Sequence, residues 1–274
     1  MKKSNKFTVF LYVAAIFFVI VFLLPVLYII MNSFKSSAEL FSGGVSFFPK
    51  EWTLEGYTDA IGQGDFGRYI LNSAFVAIIS TVIMVIINTM SGYALAKFKF
   101  KGMNVIMIII LSTIMLPLEV IMVPIFDMLK LTGLYNSLWA LIIPPAATPT
   151  GIFIMRQFLV TIPDELMQSA RIDGAGEWRI FTSIIIPNAK PAIATLGIFS
   201  FMWRWNDYVW PLIAINDPKK YTLQLAISNF SGEYAVNWNA MLAMSAISMI
   251  PMLIIFLIFQ RQFVQGTATS GMKG

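Results

Sequence analysis

An all-α membrane protein with six transmembrane helices, and a polar helical loop between the fourth and the fifth, is the fold class this sequence predicts. Three observations lead there. Of its 274 residues 58% are hydrophobic and only 12% charged, about half the charged share of a soluble domain. Apolar runs long enough for a bilayer recur six times along the chain, each near the roughly 20 residues that a crossing needs. Basic residues gather in alternate connecting segments, as they do in loops on the cytoplasmic face of a membrane.

The same composition excludes much chemistry. There is no cysteine and no histidine, which removes disulfides, thiolate metal sites, cysteine nucleophiles and the usual proton shuttle of neutral pH. A net charge of +5 fits cytoplasmic-loop bias in a membrane protein better than a nucleic-acid surface.

Span one, at about 8–31, is apolar throughout and reaches about 36 Å as a helix. Lys2, Lys3 and Lys6 before it look like the start of a signal peptide. The run is nevertheless too long for one and lacks a small-residue cleavage site, so a retained anchor is expected. Residues 32–69 are polar and rich in glycine, which reads as loop rather than domain. Span two covers about 69–96 and is followed by the basic turn Lys97–Gly102. Span three, at about 104–126, contains Pro117, Glu119 and Pro124; span four, at about 138–159, contains Pro144, Pro145 and Pro149. Such breaks are tolerated where the freed carbonyls face protein or water, and the prolines of span four should bend it. Span five at about 192–215 and span six at about 240–259 complete the set. With no tandem repeat, residues 1–274 read as one membrane domain.

Six spans put both termini on one side. That side carries twelve basic residues against four acidic ones, whereas the other carries six against eight. The positive-inside rule therefore places the termini and residues 160–190 in the cytoplasm. A multi-pass protein of a prokaryotic cytoplasmic membrane is expected.

Residues 160–190 are the polar segment that stands out. Asp164 after Pro163 is placed to cap a helix whose first turn carries Glu165, and Gly174 is placed to end it in the left-handed conformation. Leu166, Met167, Ala170 and Ile172 give this helix apolar surface; Trp178, Ile180 and Phe181 do so for a second one after the turn. A half-apolar helix pair on a polar loop suits docking to a partner, and an interfacial amphipathic loop is the plainer alternative.

Glu119, Arg204 and Asp207 lie in or beside apolar runs, where each charge costs about 2.5–3.5 kcal/mol if central. Arg204 and Asp207 can neutralise each other at three-residue spacing. Alternatively Glu119, Asn206 and Asp207 line a path through the membrane, their amides and carboxylates offering hydrogen bonds to a polar solute. Trp203, Trp205 and Trp210 invite a ring-stacking reading, with packing, and interfacial anchoring for Trp210, as the structural one.

The loop also carries a resemblance. Gln168-Ser169-Ala170, Gly174, Ile184, Ile186 and Pro187 resemble in their spacing the EAA loop of binding-protein-dependent ABC importers. Ile162–Leu166 and Ile172–Ala175 resemble its carbohydrate branch. Ser91-Gly92-Tyr93-Ala94-Leu95-Ala96-Lys97-Phe98, Trp205–Leu212 and the tail from Gln260 to Gly274 are similar to maltose-type inner subunits. The chain departs from that pattern at Gln168 and Ser169, where the family usually has Glu and Ala.

What the resemblance implies is a permease paired with a second permease, two ATP-binding subunits and an extracytoplasmic solute-binding protein that delivers a mono- or oligosaccharide. It implies that the EAA helix couples to the ATPase through Glu165, Met167, Gln168, Ser169, Ala170, Asp173, Gly174 and Ala175, with Lys273 of the tail as a further contact. ATP and Mg would be used by the partner. The chain has no G-x-x-x-x-G-K-S/T phosphate cradle of its own and is expected to be no enzyme, with no bound cofactor or metal. Glu119, Trp205, Asn206 and Asp207 are the candidates for the substrate path. A stand-alone secondary transporter would instead show paired broken helices in two repeated halves and intramembrane acids for ion coupling; a structural scaffold would make the spacing accidental.

Overall fold

In the computed structural model, which describes residues 5–42, 44, 46–230 and 236–271, the chain is all-helical. Among the described residues four helices are long and apolar enough to cross a bilayer, and one bent pair makes a fifth crossing if it counts as one span. The residues fall into two compact sets, Met1–Phe66 with Ala226–Ile250 and Gly67–Leu225 with Pro251–Gly274.

The first set begins with α1 (Asn5–Asn32), which holds Pro25 and no charged side chain between Lys6 and its end. Nothing in its most apolar stretch is buried within the chain. Two short helices follow, α2 (Ser37–Leu40) and α3 (Glu55–Gln63). Ser36 Oγ caps α2 by accepting from Glu39 N at 3.2 Å. The interval expected as plain loop is packed: Phe34 sits between the rings of Trp52 and Tyr57 at 5.5 and 5.4 Å. Lys35, only 3% exposed, donates to the Ser46 carbonyl. A buried ammonium needs such an acceptor to offset its lost hydration.

In the second set α4 (Phe66–Lys97) is the long uninterrupted span. Span three is not one rod. α5 (Met103–Ile114) and α6 (Leu118–Leu131) meet at 104° across Met115, Leu116 and Pro117, because proline disfavours a helical conformation in the residue before it.

Span four departs furthest from expectation. It consists of α7 (Trp139–Ile142), a 3₁₀ turn at Pro144–Ala146 and α8 (Pro149–Val160). The 12 residues of α8 make about 18 Å, too short to cross a bilayer alone. The prolines do not merely bend a span here; three of them within six residues remove the donors a continuous helix would need.

Span five begins fifteen residues earlier than expected. α9 (Glu165–Ile172) stands apart, but α10 (Glu177–Ile180) runs through a π-helical turn, Phe181–Ile185, into α11 (Ile186–Trp205), a continuous apolar helix over Glu177–Trp205. Pro187 has no N–H for the Ser183 carbonyl, and a widened turn accommodates the mismatch. The helix then stops at Asn206, and α12 (Val209–Ala214) starts afresh. The last elements are α13 (Leu223–Ser228) and α14 (Trp238–Gly271).

α4 and α8 approach closely. Asn88, fully buried, accepts from Thr148 N at 3.1 Å, and Thr148 Oγ1 caps α8 through Gly151 N at 3.2 Å. Gly92 lies where a Cβ would stand 2.7 Å from Met155 Cβ. Arg156 Nε donates to the Leu95 carbonyl at 3.2 Å. Elsewhere in this set Trp210 is 6% exposed and its Nε1 donates to the Ala140 carbonyl at 2.9 Å. It therefore ties α12 to α7 and is not the interfacial anchor expected of it: its one polar atom is satisfied inside.

Candidate functional site

The polar loop is built around α9. Gly174 adopts φ +80°, and two hydrogen bonds close the helix end, Ala175 N to Ala170 O at 2.9 Å and Gly174 N to Arg171 O at 3.0 Å. This is a Schellman closure, which the left-handed glycine makes accessible. Asp164 occupies the N-cap position without capping; its carboxylate accepts instead from Lys97 Nζ at 2.7 Å. That hydrogen bond, and next the lysine charge, hold Asp164 below its ordinary carboxylate range. The contact is accordingly present above the ordinary carboxylate pKa and is lost as pH falls through the lowered one.

The helix has two faces. Glu165, Gln168, Ser169 and Ile172 recur at helical spacing and all point outward, Ile172 being 87% exposed. Asp173 and Gly174 are exposed beside them. Ser169 Oγ donates back to the Glu165 carbonyl at 2.8 Å, so its hydroxyl is already satisfied. Met167 points the other way: at 2% exposed it packs with Tyr93, Leu159, Ile180 and Phe181, and Ala170 and Ala175 pack at the edge of the same cluster. Met167 is therefore the anchor of α9 rather than part of its outer surface, since a thioether gains most by filling an apolar gap. Lys273 lies outside the described residues.

Sequence reasoning missed two features here. Ile172 enters as apolar surface and in the carbohydrate-branch resemblance, and Trp178, 67% exposed on the next helix, as apolar surface of the helix pair, but neither is named among the coupling residues. Their signal was available: large apolar side chains on a water-compatible loop that the helix period turns away from the inner face.

The four path candidates do not form one site. Arg204 and Asp207 are paired, Nη1 to Oδ2 at 3.1 Å with side chains 20% and 18% exposed, and Asp207 Oδ1 also accepts from Trp210 N. The neutralising reading of the pair is thus the observed one. Trp205 is 3% exposed and stacked on Phe201 at 5.8 Å, which leaves its face no room for a sugar. Asn206 is exposed, with Nδ2 donating to the Met202 carbonyl at 2.9 Å. Glu119 is exposed in the first turn of α6, and among the described residues no hydrogen bond or ion pair joins it to Asn206 or Asp207. A cavity of about 370 Å³ between α4, α11 and α14 is apolar, with Ile78, Val82, Ile193, Gly197 and Phe201 in its wall, and suits no polyhydroxylated ligand.

Removing one charge of the Arg204–Asp207 pair should hurt more than removing both. Arg204→Met strands a carboxylate, so its melting temperature should fall below that of Arg204→Met with Asp207→Leu by the equivalent of roughly 2 kcal/mol. Equal melting of the purified single and double variants would show that neither charge depends on the other.

Together these features define an all-helical integral membrane subunit that presents one rigid, exposed helix on a polar loop. The chain belongs to the family of binding-protein-dependent transport system inner membrane components, whose model matches residues 89–269. It is 34% identical over 264 residues to the arabinooligosaccharides transport system permease protein AraQ of Halalkalibacterium halodurans, covering 95% of this chain and 94% of that one. AraQ of Bacillus subtilis is 32% identical over 280 residues, with 100% of both chains covered. Among solved structures, a chain of a bacterial ABC transporter involved in the import of the acidic polysaccharide alginate matches with a TM-score of 0.83 at 25% identity, covering 95% of this chain and 99% of that one.

Proposed function

We propose that this chain is the permease subunit of an ATP-driven ABC importer that moves a sugar or oligosaccharide across the cytoplasmic membrane. It forms half of the translocation path with a second permease. Two ATP-binding subunits hydrolyse ATP with Mg, and an extracytoplasmic solute-binding protein delivers the sugar. Both termini are cytoplasmic, and the chain passes the membrane six times if the α7–α8 segment counts as one broken crossing.

The observation that carries this reading is the outward face of α9, where Glu165, Gln168, Ser169 and Ile172 stand exposed on a helix whose other face is locked into the core. A rigid amphipathic helix of this kind fits a groove on a partner. Gln168 supplies an amide where the family usually has a carboxylate, so this contact is a neutral hydrogen bond. The arabinooligosaccharide relatives favour a neutral pentose oligomer as cargo.

The test is uptake by the assembled transporter in proteoliposomes over a panel of labelled mono- and oligosaccharides. Uptake of an arabino-oligosaccharide that requires ATP and the binding protein is the expected result. Uptake driven by an ion gradient without the ATP-binding subunits would overturn it.

A further inference from the structure

The stretch Ser91–Phe98 has a role that its place at the end of a membrane span does not suggest. Its side chains hold the polar loop at three points. Lys97 Nζ donates to the Ile162 carbonyl and, at 2.7 Å, to Asp164 Oδ1 at the start of α9. The Lys97 side chain is only 2% exposed, while that of Asp164 is 64% exposed, so the ammonium is anchored inside and the ion pair itself opens to solvent, where such pairs are individually modest. Tyr93 Oη donates to Glu177 Oε2 at 3.1 Å, and the other oxygen of that carboxylate accepts from Arg171 Nε at 2.7 Å. The last turn of α9 and the first residue of α10 are thereby tied to α4 as well.

α4 is in turn joined to α8 through Asn88, Gly92 and Leu95, as described above. Along the chain α9 is linked to the spans through the turn at Thr161–Pro163 on one side and the Gly174 turn on the other. Side-chain bonds at both ends of α9 add direct ties to α4 across that separation.

We infer that the end of α4 is the grip through which a displacement of α9 enters the membrane helices, with Lys97 and Tyr93 as positioning residues that carry it to α4 and α8 as one body. The inference rests on the import reading, in which a partner ATPase moves α9.

Because the native chain has no cysteine, the grip can be cut and rebuilt. Lys97→Cys with Asp164→Cys removes it, and a short bis-methanethiosulfonate reagent bridges the two thiols reversibly. In the complete transporter the unbridged pair should still hydrolyse ATP, but sugar taken up per ATP should fall about tenfold, within the usual range of coupling between sites. Bridging should restore it to within about twofold and dithiothreitol should undo the repair, which a merely misfolded protein would not show. Tyr93→Phe keeps the ring and its packing, loses the bond to Glu177, and should lower uptake per ATP a few-fold on its own.

Native coupling in the unbridged pair, or no recovery on bridging, overturns the inference and leaves the import reading standing. So does a pair variant that fails to assemble while Tyr93→Phe couples normally. An unsubstituted complex that takes up no sugar overturns both.

Discussion

Replacing Gly92 by valine should lower the melting temperature of the detergent-purified protein by roughly 2–12 °C, on a scale of about 2–4 °C per kcal/mol for a chain of this size. The reason is contact with backbone rather than with a flexible side chain. A Cβ at this position would lie 2.7 Å from Met155 Cβ and 2.9 Å from Arg156 N, so α8 as a whole must retreat. Overpacking of this kind costs about 1–3 kcal/mol, and the retreat also pulls Arg156 off the Leu95 carbonyl. Gly92→Ala should lie between valine and native. If Gly92→Val melts with the native protein, the two helices are not in the close contact described.

Replacing Gly174 by valine should reduce uptake about 5–30-fold, the population change that 1–2 kcal/mol brings, while leaving the spans inserted. Here bulk is not the cause, since a Cβ would meet nothing within 4 Å. The cause is φ +80°, which costs an L-residue about 1–2 kcal/mol and a β-branched one more. Gly174→Asn therefore separates the two explanations, because asparagine tolerates the left-handed region. Asparagine should keep uptake within about threefold of native, the effect of well under 1 kcal/mol; equal losses for valine and asparagine would mean that the turn geometry is not what matters.

How much of this was legible beforehand differs from element to element. α1, α4 and α14 could be read directly, because an apolar run of bilayer length has few alternatives once water is excluded. The end of α9 was equally plain, since Gly174 stands where only a left-handed residue closes the helix. The start of the next span was not. Residues 177–190 are polar enough to read as loop, yet α10 and α11 form one helix, because the inner face Ile180, Phe181 and Ile185 is buried while the polar side chains face outward. Span four was legible only in part: its apolarity predicts a crossing and its prolines predict a bend, but that Pro144, Pro145 and Pro149 leave only short helical pieces is seen in the structure alone.

The candidate residues divide on the same line. Composition, helix period and turn chemistry were enough to mark the polar loop as a helical element ending at Gly174, since they act over a few residues, while Glu165, Gln168 and Ser169 came as candidates from the resemblance to the EAA loop. Which face of α9 is free, that Met167, Trp205 and Trp210 point inward, and that Lys97 grips Asp164 sixty-seven positions away are decided by packing between segments distant in the chain. The sequence by itself determined a membrane protein with a polar helical loop, because the hydrophobic effect and local backbone preferences are properties of short stretches. Only the tertiary structure decided how that loop is held, because a hydrogen bond between remote residues exists only once the helices that carry them have docked.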